Sequence, residues 1–165
     1  MRSTKTSTRG FTLIELLLYV GILSLFLVVL TDMFGGAIDV QLESQSSGAV
    51  EQDGRYILQR VAYDVGQARE MTVPAAIGEQ TATLQMRVNG QFTTYDLTGT
   101  DLRITDALGS SLANSALTQI SNLAFLRLGN VGGKAAIQVR FTVTSKTVRA
   151  AGPTARNFQT TIGLR

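Results

Sequence analysis

One carboxylate, Glu15, stands inside a 20-residue run, Phe11 to Leu30, whose other members are almost all apolar. A carboxylate there costs about 2.5–3.5 kcal/mol on insertion scales, so it either snorkels to the membrane surface or finds a cation. In low dielectric such an ion pair is strong, and removing one partner strands the other. Little else in the sequence has the type or spacing for chemistry. It contains no His and no Cys, which excludes Cys/His zinc sites, Cys nucleophiles and His general bases. Asp96, Asp101 and Asp106 are five residues apart, a spacing with two readings, a calcium loop or acids at strand ends and turns, of which the second is expected. Ser110, Ser111 and the many threonines suit exposed strand faces and have no partner base of the usual kind. There is no Walker loop, no G-x-G-x-x-G at a strand–helix junction and no EF-hand loop. No catalytic residue, metal ligand or cofactor is therefore expected, and the chain does not read as an enzyme.

The element that positions Glu15 is the apolar run itself. As a helix rising 1.5 Å per residue it spans a hydrocarbon core of roughly 30 Å. Arg2, Lys5 and Arg9 precede it, Asp32, Asp39 and Glu43 follow it, and the next basic residue is Arg55. The positive-inside rule then predicts a single pass through the cytoplasmic membrane, N-terminus in and C-terminus out. The basic start is like that of a secretory signal, but there a small-residue cleavage site follows the apolar core. Here the small residue, Gly10, precedes it, so a cut would leave the apolar helix on the mature chain. The net charge of +3 belongs to the leader: without residues 1–10 the basic and acidic residues balance.

The order Gly10-Phe11-Thr12-Leu13-Ile14-Glu15 before a long apolar helix resembles the leader of type IV prepilins and type II secretion pseudopilins. The resemblance implies a prepilin peptidase cutting after Gly10, a mature chain beginning at an N-methylated Phe11, and Glu15 pairing with the N-terminal amine of a neighbouring subunit. Glu15 then sets axial register as each subunit enters a filament, extracellular or periplasmic. The resemblance also implies other pilin or pseudopilin subunits as partners through the N-terminal helix. The C-terminal disulfide loop of many major pilins has no counterpart here. The segment from Arg55 to Ala68 resembles the second half of the long helix in J- and W-type minor pilins, and Phe158 to Arg165 is similar, more weakly, to their closing segment.

The rest of the chain is expected to be α+β, a long N-terminal helix packed on one antiparallel sheet in a pilin-like arrangement. Ile57, Val61, Val65, Ala68 and Thr72 recur at helical spacing, predicting an amphipathic helix over 54–72 that ends before Pro74. Whether the helix is continuous at Gly35-Gly36 is left open. The period then becomes two. Leu84, Met86 and Val88 alternate with polar residues up to Asn89-Gly90, a hairpin signal, with a return strand over 91–97. Residues 102–104 read as a short strand, 106–117 as loop, 123–128 and 136–144 as a second hairpin joined by 129–134, 150–157 as loop and 158–164 as a last strand. The expected divisions are a leader over 1–10, a transmembrane and filament-core helix over 11–33, its continuation over 34–73 and a β-rich part over 74–165.

Charge is unevenly placed. Thr31 to Asp106 holds 11 acids and 5 bases, whereas Ala107 to Arg165 holds no acid and 7 bases. Arg127, Lys134, Arg140, Lys146, Arg149 and Arg156 thus have three readings: local neutralisation by the acidic half, contacts between filament subunits, or capture of an anionic polymer such as DNA. Aromatic residues for base stacking are few in the basic half. These features together are expected of a minor type IV pilin or pseudopilin. The alternative is a membrane-anchored extracellular binding module, including a DNA-capturing competence pilin; a simple anchor that never polymerises would need neither Glu15 nor a cut at Gly10.

Overall fold

The computed structural model describes residues 10–130, 133–149 and 151–164. Arg2, Lys5, Arg9 and Arg165, and positions 131, 132 and 150 of the expected connections, lie outside the described residues. The chain divides after Gln41 into two compact units. Helix α1, Leu13–Gln67, begins in the first and ends in the second, and Gly35-Gly36 does not interrupt it.

In the first unit the helix starts with a cap. Thr12 Oγ1 accepts from the Glu15 N–H at 3.3 Å, and the Thr12 carbonyl accepts from the Leu16 N–H at 3.1 Å. This is half of a capping box, Thr at the N-cap with Glu three residues on. From Phe11 to Val29 the large apolar side chains are exposed.

In the second unit α1 turns one stripe inward, at steps of three and four: Ser46, Val50, Asp53, Gly54, Ile57, Val61, Asp64 and Val65. Two antiparallel sheets meet this stripe. The first has the order β1-β3-β4-β5-β6, with β1 Ala68–Val73, β3 Leu84–Val88, β4 Gln91–Thr98, β5 Asp101–Asp106 and β6 Gly109–Leu112. The second has the order β2-β7-β8-β9, with β2 Gln80–Thr81, β7 Thr118–Leu128, β8 Ala136–Ser145 and β9 Ala155–Gly163. One core joins Val50, Ile57, Val61 and Val65 to Leu84, Met86, Tyr95, Phe125, Val139 and Phe141. The α+β class holds, with two sheets where one was expected.

The polar members of the inward stripe fix how the helix sits within this unit. Asp53 Oδ2 accepts from the Ser115 N–H at 2.9 Å, from Ser115 Oγ at 2.7 Å and from Thr118 Oγ1. That grip holds the segment on which the chain passes from β6 of the first sheet to β7 of the second. Asp64 accepts from the Tyr95 hydroxyl and from Arg60 Nε at 3.1 Å. Burial and the adjoining Asp64 carboxylate push the Tyr95 hydroxyl well above the usual phenol range. Ser46 and Thr154 share a hydroxyl–hydroxyl bond of 2.9 Å. Each buried acid is therefore met by donors, as burial of charge demands.

Two local expectations are corrected. The helix ends at Gln67, not Thr72, and Ala68–Val73 is strand β1, paired with β3. Register shifts on both sides of Met71 place Ala68 and Met71 inward, three residues apart, while Thr72 is exposed. A twice-bulged strand thus imitates a helical period. Second, the expected loop over 106–117 contains β6, hydrogen-bonded to β5 across an Ala107-Leu108 turn in which Asp106 Oδ1 accepts from the Leu108 N–H at 2.8 Å. All four residues of β6 are exposed, so it has no buried face to produce an alternating pattern. The hairpin at Asn89-Gly90 forms as expected, with φ of 50° and 85°. The later strands are longer than expected, β7 from Thr118 and β9 from Ala155.

At Gly54 the Phe158 ring of β9 lies directly against α1. A Cβ there would lie 2.2 Å from Phe158 Cζ, and that ring stacks on Phe141 with centroids 5.6 Å apart. Gly48, one turn and a half earlier, has nothing within 4 Å. We predict that Gly54→Ala destabilises the protein by about 1–3 kcal/mol through overpacking. Gly48→Ala should instead stabilise it by roughly 0.8–1 kcal/mol through helix propensity. Chemical denaturation in detergent checks both; an equal gain at the two positions would mean that the Phe158 ring yields freely.

Candidate functional site

The residues singled out by type and spacing fall into two groups, one in each unit. In the first, Gly10 is exposed, and a Cβ built on it meets nothing within 4 Å. Among the described residues nothing places a steric demand for glycine at position 10. Phe11 is exposed, and its ring stands edge-on to Tyr19, with centroids 5.9 Å apart and planes at 65°. Glu15, in the first turn of α1, is half-buried, and Tyr19 OH lies 3.5 Å from its Oε1. Further along, Ser24 Oγ donates to the Val20 carbonyl at 2.7 Å and Thr31 Oγ1 to the Leu27 carbonyl at 2.9 Å. Both hydroxyls are thus satisfied by their own helix, the usual arrangement where no water is at hand. The helix is long and apolar enough to cross a membrane, and its most apolar window is wholly uncovered.

Sequence reasoning passed over Thr12 and Tyr19. The signal for Thr12 was present: Thr at the N-cap with Glu three residues later, just before an apolar run, is a helix-start pattern. Tyr19 lies four residues beyond Glu15, the spacing at which helical side chains meet.

In the second group, three of the six basic residues meet carboxylates of the acidic half. Lys146 Nζ is 3.5 Å from Asp101 Oδ1, Arg149 Nη2 is 2.6 Å from Glu43 Oε2, and Arg156 Nη1 is 3.2 Å from Glu51 Oε2. Arg149 also donates to Thr154 Oγ1 at 2.7 Å. Arg127 serves the backbone: its Nη1 donates to the carbonyls of Pro74 at 3.1 Å and Ala75 at 2.7 Å, holding the connection from β1 to β2. Arg140 donates from Nη2 to Gln80 Oε1 at 3.4 Å on the exposed face of the second sheet, and Lys134 is exposed before β8. For Lys146, Arg149 and Arg156, the sequence asymmetry closes into local ion pairs.

The spaced aspartates are engaged separately. Asp96 holds Arg103, Asp101 holds Asn114 and Lys146, and Asp106 caps its own turn and faces Arg60 at 3.7 Å. Among the described residues no three acids gather where they would hold a metal ion. The Asn114 amide, donating at 3.0 Å, and secondarily the Lys146 ammonium hold the Asp101 carboxyl below the usual carboxylate range.

Residues 5–31 match the model of the prokaryotic N-terminal methylation motif. The match runs from Lys5 through the apolar run to Thr31 and includes none of the strands. No curated protein and no solved structure matches this chain.

A depressed carboxyl contributes stability above its unfolded pKa and loses it as pH falls through the lowered folded value. Asp101 is such a group, and the window lies on the acid side of the ordinary carboxylate range. Asn114→Ala should raise the Asp101 midpoint toward its ordinary value, and Lys146→Gln should raise it by less. Carboxyl 13C titration reads both. A larger rise in the lysine variant would reverse the assignment of cause.

Proposed function

We propose that this chain is a minor type IV pilin or pseudopilin, a structural subunit of a pilus or secretion filament. The observation that carries the reading is the N-terminal methylation motif laid over an uncovered apolar helix that keeps one acid, Glu15, in its first turn. In this reading a prepilin peptidase cuts after Gly10 on the cytoplasmic side and Phe11 becomes the N-methylated N-terminus. The helix anchors the subunit in the cytoplasmic membrane until assembly, when helices of neighbouring subunits replace lipid around it. The Glu15 carboxylate then meets the N-terminal amine of a neighbour, and the low dielectric makes that contact selective for one axial register. The assignment as a minor subunit rests on the likeness of Arg55 to Ala68 to minor pilins. The paired state of Lys146, Arg149 and Arg156 favours local and subunit contacts over DNA capture, because phosphate binding would have to displace three carboxylates first.

Two outcomes test this reading. The mature protein should begin at Phe11 and carry one methyl group, as read by N-terminal sequencing and mass. Gly10→Leu should leave the basic leader attached without loss of stability, since the fold has room at that position. A mature N-terminus beyond Leu30 would falsify the processing step. Separately, Glu15→Ala should reach the membrane fraction at least as well as the wild type, because the cost of inserting a charge is gone. Its level in the filament fraction should nevertheless fall about tenfold or more, the effect of stranding a charge in low dielectric. Equal filament incorporation of the two proteins would remove Glu15 from the assembly mechanism.

A further inference from the structure

Residues 11–31 contain five polar side chains: Thr12, Glu15, Tyr19, Ser24 and Thr31. Three of them are turned to the backbone of their own helix. Thr12 Oγ1 accepts from the Glu15 N–H, Ser24 Oγ donates to the Val20 carbonyl, and Thr31 Oγ1 donates to the Leu27 carbonyl. The two that remain, the Glu15 carboxylate and the Tyr19 hydroxyl, face each other at 3.5 Å. In hydrocarbon each would carry the full cost of an unsatisfied polar group, and neither has water to turn to. Residues 15 and 19 are one turn apart on α1 and share one stripe of it, and Phe11 lies just before the N-cap. Helical side chains lean toward the N-terminus, so the Tyr19 ring lies back over the turn that carries Glu15. The same ring meets the edge of Phe11, within the range of favourable aromatic pairs.

We propose that Tyr19 is a positioning residue for Glu15: its hydroxyl is the in-chain hydrogen-bond donor that holds the carboxylate within the membrane, while its ring packs against Phe11. The donor is neutral, so it solvates the carboxylate without cancelling its charge. The charge stays available to a stronger, cationic partner, and a short rotation of the phenol releases it. At 3.5 Å the contact is longer than a settled O–H···O bond. That Glu15 is being held for assembly rests on the function proposed above; the pairing itself does not.

The test is a double-mutant cycle on the full chain, with wild type, Tyr19→Phe, Glu15→Leu and the double variant compared for the ratio of inserted to non-inserted protein. Phenylalanine is more apolar than tyrosine, so Tyr19→Phe alone should favour insertion wherever no carboxylate is present. With Glu15 in place that benefit should be cut by roughly three- to tenfold, the range for one hydrogen bond inside a membrane. The same factor in both backgrounds overturns the pairing. A spectroscopic readout stands beside it. The 13C resonance of Tyr19 Cζ in the detergent-solubilised protein should move in Glu15→Leu; an unmoved resonance also overturns the pairing. Filament incorporation of Glu15→Ala separates the two ideas. If coupling is present and incorporation is normal, the pairing stands and the assembly reading falls. If coupling is absent and incorporation is poor, the pairing falls alone.

Discussion

Because the N-terminal part of α1 exposes its apolar side chains from Leu13 to Val29, it needs lipid or neighbouring helices around it, and the rest of the chain has to fold without using them. Residues 42–165 accordingly build their own core from one stripe of α1 and two sheets. The same helix therefore obeys two rules in succession. Before Gln41 the Ser24 and Thr31 hydroxyls fold back onto the helix's own carbonyls and its large apolar side chains are exposed. After Leu42 its inward stripe carries hydroxyls and carboxylates that bond to the strands and to the segments joining them. The chemistry of each half fits its surroundings, since polar groups in hydrocarbon are best satisfied locally while a folded domain can satisfy them at long range.

The buried acids Asp53 and Asp64 do more than tolerate burial. Asp53 holds the segment on which the chain passes from one sheet to the other, and Asp64 orients the ring of Tyr95 in the core. An apolar residue at either place would pack but would not select one partner among several, which is the specificity that a buried polar contact adds at some cost in stability. Gly54 works in the opposite way, through absence of a side chain: it lets β9 and its Phe158 ring come close to the helix. Together these contacts set the helix against both sheets of the second unit.

The ion pairs from Lys146, Arg149 and Arg156 explain why a chain so unevenly charged in sequence is evenly charged in space at those points. Glu43 and Glu51 on α1 take Arg149 and Arg156, which lie before and within β9. Exposed pairs of this kind stabilise little individually. Their effect is on the surface, where three of the six basic residues already face a carboxylate.

By itself the sequence determined the features that depend on local periodicity and on transfer between solvents. The apolar run, the isolated Glu15, the Gly10 before them, the inward positions Ile57, Val61 and Val65 and the Asn89-Gly90 hairpin were all legible, because hydrophobic spacing and turn chemistry act within a few residues. Only the tertiary structure decided where α1 stops, because the pairing of Ala68–Val73 with β3 overrides the helical spacing of Ala68 and Thr72. Only the structure revealed β6, whose residues are exposed and exist as a strand solely through their bonds to β5. The division into two sheets, the partners of Asp53 and Asp64 and the pairing of the basic residues were decided there too, since each joins residues far apart in the sequence. Such contacts form when the fold brings the groups together, and no pattern in the neighbouring residues records them.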